Sequence, residues 1–509
     1  MNEKQERIES NKRLQTEMIA VAPGLPGKGV GLARRLKALR GCHAIGLGAV
    51  LLGTLVNAIV LTDGTTDLTR AESTFGTYYD ALGESLLEGR FDVPPPAIGP
   101  EAFLIDGKTY GYFGPTPALL RIPLDFVFPG MRGGWTRLMM LAACALTLLP
   151  TYLILHRAGR AARSRRTKRD DLLARQCMEG AFVLCAAVGT SLFFIMRSPT
   201  IYHEASAIAV MFAVWTFLLI IRYQERGRLV TPIAAFFCAL LSFQARGSVG
   251  AGPMLAICLL LLAMGWTLLR PGAARHVTSR VSHRRLAVHT AIVATIAGLC
   301  TSAVLIKNVM VFGNLVGAPP LSRHVQLISD PARLALTDGG NFIQPGNVRT
   351  TLYNYLNPFN VVIGSPFPFI RALPAESLRT FPETRLDHKE PFASLTGTNP
   401  LWCVLAALGI AVVALQRRLG APRLRRFGIA LAGAAAGAAP ILMSACITQR
   451  YLHDAYPLLV IAGAAGLQGI LVLEGGSRWA RALAPALILL ALYTCFANIS
   501  VAMTLPRWE

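Results

Sequence analysis

TPALLRIPLDFVFPG, residues 116–130, is the stretch on which the topology of this chain turns. It is apolar enough to resemble a membrane segment, yet Arg121, Pro123 and Asp125 interrupt it. A bilayer crossing needs roughly 20 apolar residues. The stretch therefore reads as a re-entrant or interfacial helix rather than a span. Were it a span, every later segment would change sides of the membrane.

On both sides of it lie longer apolar runs. The chain of 509 residues is 53% hydrophobic and 15% charged, with a mean hydropathy of +0.47. Soluble domains carry about 25% charged residues, so the composition points to an all-α polytopic membrane protein. The runs are too long and continuous for the alternation of a membrane barrel. Eleven spans are expected, at 41–62, 134–156, 178–197, 204–222, 229–245, 250–269, 287–306, 400–416, 427–446, 455–473 and 480–502. No internal repeat is visible, which disfavours an inverted-repeat transporter.

Charge fixes the expected orientation. With residues 1–40 placed in the cytoplasm, the segments on that side (1–40, 157–179, 222–228, 270–286, 417–426 and 474–481) hold 32 Lys/Arg and 9 Asp/Glu. The rest of the chain holds 18 and 19, so nearly all of the net charge of +22 sits where the positive-inside rule puts it. The basic balance is thus an orientation signal and excludes a nucleic-acid role. The expected layout is a basic cytoplasmic tail at 1–40, one transmembrane domain at 41–502, and an outer tail at 503–509. The expected location is the cytoplasmic (inner) membrane, with the C-terminus outside. Two large segments, 63–133 and 307–399, fall on the outer face.

The first of these is the acidic part of the chain, and long loops between spans are where function concentrates. Phe75, Tyr78, Tyr79, Leu82 and Leu86 recur at helical spacing, predicting a helix over 71–87 whose Asp80, Glu84 and Glu88 face water. Glu72 then sits at the helix start, as a candidate general base or a dipole-stabilising carboxylate, with Asp67 and Asp63 behind it. Asp106-Gly-Lys108, Tyr110, Tyr112 and Gly114-Pro115 predict tight turns, with Lys108 and Tyr110 suited to sugar contact or to anchoring at the interface.

Other candidates sit at outer span ends. Tyr202, His203 and Glu204 coincide at one short turn, and ionisable groups at membrane depth are costly. Arg246 and Arg450 would supply bidentate donors for a lipid phosphate, or snorkel as anchors. Arg197 and Lys307 share this placement. The segment 307–399 reads as a cap over the first and is assigned no chemistry. The ten cysteines lie in or beside apolar runs, with no disulfide framework or zinc spacing. No nucleotide-binding motif appears, and no cofactor is evident.

AEST at 71–74, ALGESLLEGRFDV at 81–93, DGKTYGYFGPTPALLRIP at 106–123, YHEA at 202–205, KNVMVFG at 307–313 and QRYLHDAYP at 449–457 occur in a telling order. In that order and placement the chain resembles the glycosyltransferase C superfamily. More narrowly, it resembles bacterial relatives of the protein mannosyltransferase and aminoarabinose transferase group. The resemblance implies an inverting transfer of sugar from a polyprenyl-phosphate donor to a glycan, lipid or protein acceptor. It also implies a first-loop Asp or Glu as base, for which Glu72 is the nearest match. Ala71 stands where an acidic residue often precedes that base, so Asp67 and Asp63 stay as alternatives. Some members use a divalent metal, and no cage for one is apparent in the sequence. The competing readings are a transporter or flippase of lipid-linked saccharide, which requires charges in mid-span, and a non-catalytic envelope-assembly protein.

Overall fold

The computed structural model describes residues 28–71, 75–162, 171–270, 281–315, 317, 319–337, 340–416, 418–419, 422–473 and 478–505. The chain divides into two units, Met1–Ile45 and Gly46–Glu509; apart from the start of the first helix, the features below belong to the second. Helix dominates, and the described residues hold three two-stranded sheets.

Each expected span coincides with an apolar helix. Among the described residues eight are long and apolar enough to cross a membrane: His43–Leu61, Trp135–Ala162, Ile201–Arg226, Gly247–Leu269, His283–Phe312, Arg423–Met443, Gln449–Leu471 and Leu483–Thr504. The helices Leu173–Val188 and Ser191–Arg197, bent by 48°, pass the same test together and make a ninth where the pair counts as one span. At that bend Thr190 caps the new helix, its Oγ1 accepting from the Leu192 N–H at 3.2 Å. The Gly189 carbonyl, freed from the helix ladder, accepts from Trp402 Nε1 at 2.8 Å. Val230–Ala245 and Pro400–Ala414 are shorter apolar helices. The chain is a multi-pass, all-α membrane protein. The expected tail at 1–40 is partly helical, because the first helix begins at Lys28; residues 1–27 lie outside the described residues.

The helices differ sharply in burial. In Ile201–Arg226 and Gln449–Leu471, 83% of the most apolar stretch is buried, against 11% in His283–Phe312. The first two form the centre of the bundle and the last its periphery. Small residues permit the closest crossings: a Cβ on Gly409 would meet the Ala462 carbonyl oxygen at 1.8 Å, and one on Gly466 the Leu405 oxygen at 2.0 Å. Between membrane helices such backbone contact is a main source of packing energy, because lipid offers no hydrophobic incentive to associate.

At one end of the bundle the two large segments meet. A hairpin pairs Phe103–Ile105 with Lys108–Tyr110, turning at Asp106 and Gly107 with φ of 50° and 74°, as a two-residue Asp-Gly turn requires. Phe103 bridges to His324 of the second segment, and the Val325 N–H donates to the Ala102 carbonyl at 2.9 Å. The second segment thus packs against the first.

Residues 116–127 form a 12-residue helix, Thr116–Val127, too short to cross. Its far end leaves Phe126, Val127 and Phe128 exposed, which suits contact with a bilayer surface. The helix expected over 71–87 is shorter than the spacing indicated, running from Tyr78 to Leu87 with Thr77 as its cap. Glu72 lies outside the described residues. Asp80, expected in water, is buried.

Gly409→Ala is expected to cost about 1–3 kcal/mol through overpacking. Gly298→Ala, where a Cβ meets nothing within 4 Å, is expected to be neutral or slightly stabilising through helix propensity. Melting temperatures of the two purified variants check this, and equal values would contradict the crossing.

Candidate functional site

The first segment is held down by a buried ion cluster. Arg121, fully buried in the Thr116–Val127 helix, donates from Nη1 to Asp80 Oδ1 at 2.8 Å. From Nη2 it donates to Glu204 Oε2 at 2.6 Å and to Thr136 Oγ1 at 2.9 Å. Asp80 Oδ2 accepts in turn from the Gly133 N–H at 2.7 Å. One guanidinium therefore ties two loop helices to the first turns of two spans, Trp135–Ala162 and Ile201–Arg226. The aromatic face of the helix Tyr78–Leu87 closes over it, with the Tyr79 ring 5.4 Å from the Arg121 carbon. Gly114 adds a second anchor, since a Cβ there would lie 1.7 Å from the Gln244 carbonyl. Only glycine lets the loop backbone reach the end of the helix Val230–Ala245, two residues from Arg246.

Beside that contact two arginines converge. Arg246 has extended backbone, φ −153°, at the junction of two helices. Its Nε lies 3.1 Å from Asp454 Oδ1, and Ser248 Oγ donates to Asp454 Oδ2 at 2.8 Å. Arg450 Nη2 lies 3.0 Å from Glu390 Oε1. The Arg246 and Arg450 guanidinium carbons lie 5.1 and 5.9 Å from the centre of the Tyr451 ring. Arg450 also lies 4.8 Å from the centre of the Tyr202 ring. Each arginine spends part of its donor fork on one carboxylate; guanidinium carries five N–H groups.

Aromatic and acidic groups of both large segments wall this pair. Tyr202 packs on Phe113 at 5.2 Å between ring centres, and Phe113 packs on Tyr112 at 4.1 Å. Burial, with the charge of Glu101 nearby, pushes the Tyr112 phenol well above its usual range, so it stays protonated. Glu101 accepts from Gln326 Nε2 at 3.2 Å and lies 3.7 Å from His324 Nε2. Burial alone would raise its pKa. The bonds to His324 and Tyr202 and the charges of His324 and Arg450 outweigh burial and hold the carboxyl below its ordinary value.

The residues expected from sequence divide into groups. Tyr202, Arg246 and Arg450 come together. His203 and Glu204, adjacent to Tyr202 in sequence, turn inward. His203 Nδ1 meets the Ser198 carbonyl, its ring packs on Phe194, and Glu204 belongs to the Arg121 cluster. Lys108, exposed, lies 3.7 Å from Asp92, and Tyr110 packs on Phe312. The partners of both belong to the hairpin side and the end of the peripheral helix, not to the arginine pair.

Asp63 follows the first span with a φ of 55°. Asp67 is exposed, and its Oδ1 accepts from the Thr69 N–H at 2.9 Å and hydroxyl at 2.8 Å. Those bonds, the backbone one first, hold its pKa below the ordinary value. Sequence reading missed Asp80 and Arg121, which look like a solvated acid and a break in an apolar run. It also missed Glu390, in a segment assigned no chemistry. Among the described residues no group of three or more His, Cys, Asp or Glu could hold a metal ion.

Arg121→Met leaves two buried carboxylates without their cation and is expected to destabilise by about 3–5 kcal/mol. Adding Asp80→Asn and Glu204→Gln should restore much of that loss. Thermal unfolding in detergent measures both, and a single variant as stable as wild type would contradict the cluster's role.

No family model matches the chain, and no curated protein matches it. Among solved structures, the apo oligosaccharyltransferase of Archaeoglobus fulgidus is similar at 14% identity and a TM-score of 0.49, covering 91% of this chain and 56% of that one. The same archaeal enzyme, AglB, in complex with an inhibitory peptide and a dolichol-phosphate, is similar at 15% identity and 0.48, with the same coverage. ArnT from Cupriavidus metallidurans, bound to undecaprenyl phosphate, is similar at 12% identity and 0.41, covering 90% of this chain and 75% of that one. This chain thus spans little more than half the length of the archaeal enzyme.

Proposed function

We propose that this protein is an inverting glycosyltransferase that takes its sugar from a polyprenyl-phosphate donor at the outer face of the cytoplasmic membrane. The observation that carries the reading is the convergence of Arg246 and Arg450 on one tyrosine ring where membrane helices meet the large segments. A lipid phosphate needs fixed cations at that depth, and two partly engaged guanidinium forks supply them. The motif resemblance supports the same reading.

In the reaction proposed, a carboxylate of the first segment takes the proton of an acceptor hydroxyl. That oxygen forms a bond to the anomeric carbon from the face opposite the phosphate. The bond from the anomeric carbon to the phosphate oxygen breaks, and polyprenyl phosphate leaves with the electron pair. Glu72 is the first choice for the base, with Asp67 and Asp63 as alternatives. Asp67, already holding two hydrogen bonds and a lowered pKa, is the weaker base of the sort this step needs. Arg246 and Arg450 hold the donor phosphate and stabilise the charge that grows on it as the bond breaks. Tyr202, Tyr112 and Tyr451 would hold the arginines in place and offer faces to the sugar; for Lys108 and Tyr110 a binding role requires a sugar chain reaching the hairpin.

The test is transfer by the purified protein from a polyprenyl-phosphate sugar in lipid, with the product anomer read by NMR. Inversion is expected. Glu72→Gln is expected to abolish turnover while leaving donor binding intact. Full activity in that variant, with losses instead in Asp67→Asn or Asp63→Asn, moves the base to those positions. Retention of configuration, or no transfer from any lipid-linked sugar, overturns the reading.

A further inference from the structure

A second polar site lies in the segment 307–399, separate from the arginine pair. A cavity of about 570 Å³ is lined by Arg385, Lys389, Asp387, Glu376, Thr380 and Phe381 among others. Asp387 is engaged: the Arg333 guanidinium donates to both its oxygens, at 2.6 and 3.1 Å. The side chains of Arg385 and Lys389 make no ion pair or hydrogen bond among the described residues. Around the Phe381 ring stand two further cations, with the Arg349 and Arg379 guanidinium carbons 4.1 and 5.3 Å from its centre. The lining itself carries two cations and two carboxylates; Asp387 is taken up by Arg333 and Arg349 lies 3.8 Å from Glu383, which leaves Arg385 and Lys389 as the uncommitted charges facing Glu376.

The cavity is also linked to the arginine pair by one strand. His388–Lys389 pairs in parallel with Cys446–Ile447, and the Asp387 and Glu390 N–H groups donate to Ala445 and Ile447. Side chains alternate along a strand. Asp387 and Lys389 accordingly face the cavity, while Glu390 turns to the opposite side and meets Arg450. The second strand of this pair runs on into Gln449 and Arg450. The cavity and the arginine pair therefore lie on opposite faces of one strand pair, and a chain molecule reaching both has to pass its edge.

We propose that this cavity is an acceptor subsite for an anionic saccharide, whose carboxylate or phosphate pairs with Arg385 and Lys389 while a neighbouring sugar reaches the arginine pair. The inference rests on the reading of that pair as the transfer centre. The Thr380 hydroxyl can donate to or accept from a sugar hydroxyl and the Glu376 carboxylate can accept from one, and a fork-and-point pair of cations suits a carboxylate or phosphate.

Equilibrium binding to the full-length protein in lipid nanodiscs tests it, with tetragalacturonate, mannose 6-phosphate and neutral maltotetraose as probes. At least one anionic probe is expected to bind at about tenfold lower Kd than maltotetraose and to weaken as salt rises; which of the two binds tighter identifies carboxylate or phosphate as the group recognised. Arg385→Gln with Lys389→Gln is expected to bring the anion's Kd up to that of the neutral sugar, with the melting temperature and undecaprenyl phosphate binding unchanged. Equal binding of all three probes, no binding of either anion, or full anion binding by the double variant overturns the proposal. Anionic binding with no binding of undecaprenyl phosphate keeps the subsite and removes the transfer centre instead, so the two failures are distinct.

Discussion

The charge of Arg121 is the constraint around which the large segments are arranged. A guanidinium with no exposed surface cannot be tolerated in a membrane protein without anionic partners. Here those partners come from a loop helix, through Asp80, and from the first turn of a central span, through Glu204. Meeting that requirement brings the helices Tyr78–Leu87 and Thr116–Val127 down onto the bundle. With them come Phe113 and Tyr112, which wall the space beside Arg450 and Arg246. The cluster is not evidence of high stability in itself, since desolvation offsets most of what such pairs gain. Its contribution is to fix where the loop sits.

The two ion systems do different work although their residues interleave in sequence. Tyr202, His203 and Glu204 are consecutive, yet the turn sends them three ways, because side chains on a helix start point about 100° apart. Tyr202 faces the arginine pair, His203 packs against Phe194, and Glu204 enters the buried cluster. In the same way Glu390 and Lys389 part to opposite sides of a strand. The arrangement brings three polar environments within a few residues of one another: a buried anchor, a cationic site among tyrosines, and a solvated cavity.

Much of the fold was legible in the sequence, for a plain physical reason. Hydrocarbon tolerates only long apolar helices, so each span announces itself, and Arg121, Pro123 and Asp125 were enough to mark 116–130 as something else. The candidate cluster was legible where a polar group interrupts an apolar pattern, as at Tyr202, Arg246 and Arg450. It was not legible where partners come from distant segments. Asp80 sits on a stretch whose helical spacing suggests a wet acidic face, and only the approach of Arg121, 41 residues on, buries it. Glu390 lies among Pro and short apolar runs with no periodicity, and its contact with Arg450 depends on a strand pairing that no local pattern encodes. The helix itself starts at Tyr78 rather than at Ala71.

The central claim, that Arg246 and Arg450 form a site for a lipid phosphate, is tested most directly by titrating undecaprenyl phosphate and undecaprenol into the purified protein and following bound lipid by native mass spectrometry. The account predicts one tightly held undecaprenyl phosphate, weak binding of the alcohol, and loss of the difference in both Arg246→Gln and Arg450→Gln. Equal binding of the two lipids by the wild-type protein, or undiminished phosphate binding by both variants, would contradict it.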